Sequence, residues 1–249
     1  MRRIGIFLVM LAAIVGSGSI RPAAAIPVDL ELVLAVDVSR SIDDEEFNLQ
    51  RQGYAAALTN PLVLGALLSG ANRSTAVAFV EWADSEFQKL VVNWTLITGP
   101  ESASRFAAAI LAAPRSFYGR TSVSGAVDFG VALFAKNNYE GTRMVIDVSG
   151  DGINNSGRPA FLSRDDAVQK GVTINGLVIM NDKPPPGLLF QPQASLDEFY
   201  RDNVIGGPGA FMMTVEDFDS FGFAVVNKLI REIAGDPPHE APSLADAAR

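Results

Sequence analysis

Residues 28–41 read VDLELVLAVDVSRS, and the fold turns on how this stretch divides. The first nine residues are rich in Val and Leu and end at a polar turn. That is the composition of a mostly buried strand. Asp37-Val38-Ser39-Arg40-Ser41 follows at once, a D-x-S-x-S loop running into a helix read over 41–58. The helix opens with acids from Asp43 to Glu46, which suit the positive end of its dipole. Phe47, Gln50, Tyr54 and Leu58 then recur at helical spacing, with Gly53 as an internal weak point.

Working outward, strands and helices alternate. TAVAFVEW (75–82) and FQKLVVNW (87–94) are strand-like and separated by only four residues, too few for a crossover helix, so they form an antiparallel hairpin. Helices are expected over 102–112 and 122–136, the second carrying Val123, Val127, Val131 and Phe134 along one face. A strand over 143–148, a helix over 164–170 and a strand over 173–180 come next. A helix over 196–203, a short strand over 210–215 and an amphipathic helix over 218–233 close the chain. The sum is α/β: a doubly wound, mainly parallel six-stranded sheet with one antiparallel edge strand and helices on both faces. Right-handed crossovers place the carboxyl ends of all parallel strands on one side, where such folds carry their ligand sites.

Composition narrows the chemistry. The 249 residues include no Cys and one His, with a net charge of −8. Disulfides, thiolate nucleophiles, iron–sulfur clusters and Cys-built zinc sites are excluded. His239 lies in the Pro-rich stretch 236–242, which reads as a solvated tail, so a core Ser-His-Asp triad or His-ligated metal is not expected. The acidic balance argues against nucleic acid as a partner. At the N-terminus, Met1-Arg2-Arg3, an apolar run over 4–15 and Ala23-Ala24-Ala25 follow the plan of a secretory signal peptide; the rival reading is a retained anchor. Its apolar run is shorter than the ~20 residues a spanning helix needs. Cleavage after 25 removes Arg2, Arg3 and Arg21 and takes the charge from −8 to −11. The expected organisation is a signal peptide (1–25), one domain (26–234) and a flexible tail (235–249). The location is then periplasmic or secreted, with no membrane span after cleavage.

The chemistry-bearing residues fall at strand ends. Asp37, Ser39 and Ser41 put a carboxylate and two hydroxyls on one side of a turn, an oxygen set that suits a hard cation; helix capping is the plainer alternative. Gly119-Arg120-Thr121-Ser122 opens the helix over 122–136, and Ser149-Gly150-Asp151-Gly152 follows the strand over 143–148. If that strand lies beside the first one, five oxygens from three loops converge.

The order Asp37-x-Ser39-x-Ser41, then Thr121 before a helix, then Asp151-Gly152 at a strand end resembles the von Willebrand factor type A domain. The resemblance extends to that family's metal-ion-dependent adhesion site, with spacings of about 80 and 30 residues, and covers residues 28–233. It implies that Ser39, Ser41 and Thr121 offer hydroxyls to a divalent cation, Mg²⁺ or alternatively Mn²⁺ or Ca²⁺. Asp37 and Asp151 would bind directly or through water, and a carboxylate of a protein partner would fill an open position. Many family members carry Thr or Ser where Gly150 stands, and Asp147 is a rival for the role of Asp151.

The function implied is an exported, metal-dependent protein-binding module of adhesion type, not an enzyme. The alternatives are an Mg²⁺-dependent, phosphatase-like hydrolase using a strand-end Asp, and a scaffold with a degenerate metal site. A phosphatase calls for a second carboxylate where Ser39 stands, and the G-x-S-x-G elbow of a serine hydrolase is absent. Pro184-Pro185-Pro186-Gly187-Leu188-Leu189-Phe190 is either a recognition rim or a loop tucking Leu189 and Phe190 inward. Asn154-Asn155 reads as turn chemistry or as tuning of the site. Arg40 is either a solvated charge or a neighbour of an anionic partner. Trp82 and Trp94 read as core.

Overall fold

The computed structural model describes residues 25–180, 195–216 and 220–234. The leader read over 1–25 (Ala25 apart), the loop 184–190 and the tail with His239 lie outside the described residues.

The strand read from residue 28 begins at Leu30. Strand β1 (Ile26–Val28) is separate, and β2 (Leu30–Asp37) follows after Asp29. Asp29 leaves the ladder because its carboxylate accepts the backbone amides of Asn72 (2.8 Å) and Ser74 (3.3 Å). All of β2 is buried. Leu30, Leu32, Leu34 and Val36 face one core and Val33 and Ala35 the other, as period-two alternation requires of a strand covered on both sides.

Helix α1 (Asp44–Thr59) starts later than the periodicity suggests. Asp43 is its cap, accepting the amides of Glu45 and Glu46 while Glu46 reaches back to the Asp43 amide, a capping box. Ser41 is thereby left in the loop. Gly53 packs: a Cβ there would lie 2.8 Å from the Phe221 ring, so its absence lets another helix approach closely. Helix α2 (Pro61–Leu67) was not anticipated, although Asn60 caps it and Pro61 opens it. Its seven residues are too few to show a periodicity.

The hairpin is present as β3 (Thr75–Trp82) and β4 (Gln88–Ile97), antiparallel with register shifts near Phe79. Helices α3 (Pro100–Ala112) and α4 (Val123–Phe134) follow. Next come β5 (Tyr139–Gly141), β6 (Met144–Gly150), α5 (Ala160–Gln169), β7 (Val172–Ile179), α6 (Leu196–Asn203), β8 (Met212–Val215) and α7 (Phe221–Ala234). The six-stranded sheet runs β4-β3-β2-β6-β7-β8, with β4 the antiparallel edge; β1 and β5 form a small parallel pair. Residues of α1, α2, α3 and α7 fill one core and residues of α4, α5 and α6 the other. Trp82 is wholly buried, and the Trp94 indole N–H donates to the Leu133 carbonyl (3.3 Å), so both serve packing. The central strand β2 is flanked by parallel β3 and β6, which brings their carboxyl ends together. Among the described residues, no helix is long and apolar enough to cross a membrane.

Candidate metal centre

Asp37 ends β2 and is fully buried. Its Oδ1 accepts the Ser39 amide (2.7 Å), which folds the loop back over the strand end. The Ser39 and Ser41 hydroxyls share a hydrogen bond (3.0 Å), and the Ser41 hydroxyl donates to Asp151 Oδ1 (2.6 Å). Thr121 Oγ1 stands 3.5 Å from Ser39 Oγ. The five residues read from the sequence therefore meet in one chain of oxygens from three loops. Asp37, Ser39 and Thr121 form its buried floor, and exposed Ser41 forms its mouth.

The loops are tied by contacts with little sequence signal. The Arg40 amide donates to the Gly119 carbonyl (3.0 Å), joining the first loop to the second. Asn155 Oδ1 accepts the Thr121 amide (2.9 Å), while the Asn155 amide donates to the Thr121 carbonyl (2.8 Å). Asn154 Oδ1 accepts the Ser124 amide (3.0 Å) in the first turn of α4. Asn154 and Asn155 thus staple the third loop to the second. Arg115, between α3 and α4, clamps the first loop: its Nη2 donates to the carbonyls of Val38 (2.8 Å), Ser39 (2.9 Å) and Ile42 (2.8 Å). Its guanidinium also lies over the Tyr118 ring, 3.9 Å from the centroid. The segment bearing Arg115 is itself held by a buried ion pair between Arg51 and Glu81. Arg51 donates to the Ile110 and Ala113 carbonyls, and Glu81 accepts the Ser116 amide (2.9 Å).

The electrostatics are unbalanced. Burial first, and the Asp151 charge second, push the Asp37 carboxyl well above the usual carboxylate range; bonding from Ser39 and the Arg115 charge oppose this only in part. Asp37 Oδ2 is buried and has no hydrogen-bond partner. Asp147, the rival for the strand-end role, is elsewhere. It sits on the opposite face of β6, where its carboxylate pairs with Lys228 of α7. Lys228 Nζ is also 3.4 Å from Glu232, which accepts from Asn175 (2.7 Å). Arg40 is exposed at the mouth of the site, and Arg120, also exposed, donates to the Asn155 carbonyl.

The arrangement fits a hard divalent cation by its donor set. Two carboxylates and three hydroxyls converge, and one buried carboxylate oxygen has no hydrogen-bond partner. Among the described residues no group of three or more His, Cys, Asp and Glu is placed to hold a metal ion, so a metal held here would depend on the hydroxyls. A cation would supply the charge that the two carboxylates lack.

This architecture is that of the von Willebrand factor type A fold. A von Willebrand factor type A protein from Catenulispora acidiphila superposes with a TM-score of 0.58 at 14% identity, over 83% of this chain and 43% of that one. Proximal thread matrix protein 1 from the mussel byssus, with a zinc-occupied MIDAS motif, gives 0.57 at 15%, over 83% and 46%. The pilus adhesin SpaC from Lactobacillus rhamnosus GG gives 0.58 at 12%, over 83% and 30%. The chain spans less than half the length of each. It belongs to the DUF1194 family, described as a protein of unknown function, which matches residues 27–237. None of the curated proteins matches it.

Proposed function

We propose that this chain is an exported, metal-dependent protein-binding module of adhesion type. Asp37, Ser39, Ser41, Thr121 and Asp151 hold a divalent cation, Mg²⁺ or in its place Mn²⁺ or Ca²⁺. An acidic group of a protein partner completes the coordination shell. The observation that carries this reading is the unpartnered, buried Asp37 Oδ2 in an oxygen-only cluster whose second carboxylate raises the cost of its charge. The cation supplies charge compensation and an open coordination position. The chain's own residues do the rest. The Ser39 amide orients Asp37, Ser41 bridges to Asp151, and Arg115 fixes the loop that carries both serines.

A zinc-occupied site of this kind in one structural neighbour, and the adhesin role of another, support the reading. The leader-like residues 1–25 support export. An acidic chain and an acidic partner repel, so capture is expected to depend on the ion. The test is a pull-down from the native envelope fraction, with Mg²⁺ or with EDTA. Partners retained only with the ion, and lost with Asp151→Ala, are expected. The same partners in EDTA would overturn the reading.

A further inference from the structure

Tyr200 of α6 is fully buried, and its ring enters the sheet face through two missing side chains. A Cβ on Gly176 of β7 would lie 3.0 Å from Tyr200 Cδ1, and one on Gly150 of β6 would lie 2.8 Å from the Tyr200 hydroxyl. The Gly150 position is also 3.0 Å from Asp37 Oδ2. The phenol oxygen and the carboxylate oxygen therefore flank the same small volume, which any side chain at position 150 would fill. Each is buried and has no hydrogen-bond partner. Two orphaned polar atoms facing one volume are costly apart and complementary together, since a phenol donates and a carboxylate accepts.

We propose that Tyr200 is a positioning residue of the cation site. Its hydroxyl donates to Asp37 Oδ2 through one water and sets the carboxylate for the ion. The pair of glycines is the device that admits it, and helix α6 is thereby joined to the site. This inference rests on the metal-binding reading above. Conserving the ring while removing the hydroxyl isolates the role. Titration calorimetry with Mn²⁺ on the wild-type chain and on Tyr200→Phe should show affinity falling about tenfold or more, the usual cost of losing a group that orients a ligand. The metal-free melting temperatures should stay close, because the ring packing is kept. Mn²⁺ should also produce a tyrosine ultraviolet difference band in the wild type that is missing in Tyr200→Phe. Equal affinities, or a band that persists in the variant, would overturn this role and leave the cation site standing. A wild-type chain that binds no Mn²⁺ would overturn the site and this role together.

Discussion

Replacing Asp37 by Asn separates the cost of the buried charge from its use. The amide keeps the carboxylate's shape, and its Oδ1 still accepts the Ser39 amide now held at 2.7 Å. The oxygen exchanged for NH₂ is Oδ2, and the Tyr200 hydroxyl that flanks it can accept from an amide where it would donate to a carboxylate. What disappears is a charge disfavoured by burial and by Asp151. Asp37 binds its proton more tightly in the folded chain than in the unfolded one. Ionisation therefore opposes folding increasingly as pH rises above the ordinary carboxylate value. About 2–4 °C accompanies each kcal/mol in a chain of this size. Metal-free Asp37→Asn should melt above the metal-free wild type at pH 7. A cation at a hundred times its Kd adds about 2.7 kcal/mol to the native state it binds. The wild type should gain roughly 5–11 °C from this, and Asp37→Asn nothing. Differential scanning calorimetry at pH 7, in EDTA and in Mn²⁺, reads both effects. A variant melting below the wild type in EDTA would show that the fold itself stabilises the charge. An equal gain from Mn²⁺ in both proteins would remove Asp37 from the ligand set.

Arg115→Met keeps the apolar stem and removes a charged donor from three carbonyls, so urea denaturation should register a loss of about 2–4 kcal/mol; a change under 0.5 kcal/mol would refute the clamp. Glu232 has its carboxyl pushed from 4.5 up to about 7, by burial first and the Asp147 charge second. The folded chain then holds a proton that the unfolded chain has released, so stability falls as pH rises from 4.5 to about 7, by at most about 1.4 kcal/mol per pH unit. Glu232→Gln should flatten that slope in urea midpoints taken at pH 5, 6 and 7, and an unchanged slope would assign it to other groups.

The sequence by itself determined most of the fold and picked out five residues that the fold brings together. The reasons are local. A buried central strand must be apolar on both faces, as β2 is. Antiparallel β3 and β4 follow from a link too short for a crossover. A D-x-S-x-S turn at a strand end, with Thr121 and Asp151 at later loop positions, is legible because each residue's place depends on the strand or helix beside it. Tertiary structure alone shows which of Asp151 and Asp147 lies among the other candidate residues. Asp147 is in the middle of β6, where the pleat turns it toward Lys228 on the opposite face, while the loop beyond Gly150 swings Asp151 to Ser41. It alone supplied Arg115 and Tyr200 as well, and it gave Asn155, read as turn chemistry or tuning, its bonds to Thr121. Their hydrogen bonds and contacts reach across loops and helices distant in the chain, and no periodicity records which side chain a folded neighbour will meet. Gly150 shows the division most clearly. In the sequence it is a departure from a motif, and in the fold its missing side chain leaves the space that the Tyr200 hydroxyl and the Asp37 carboxylate both border.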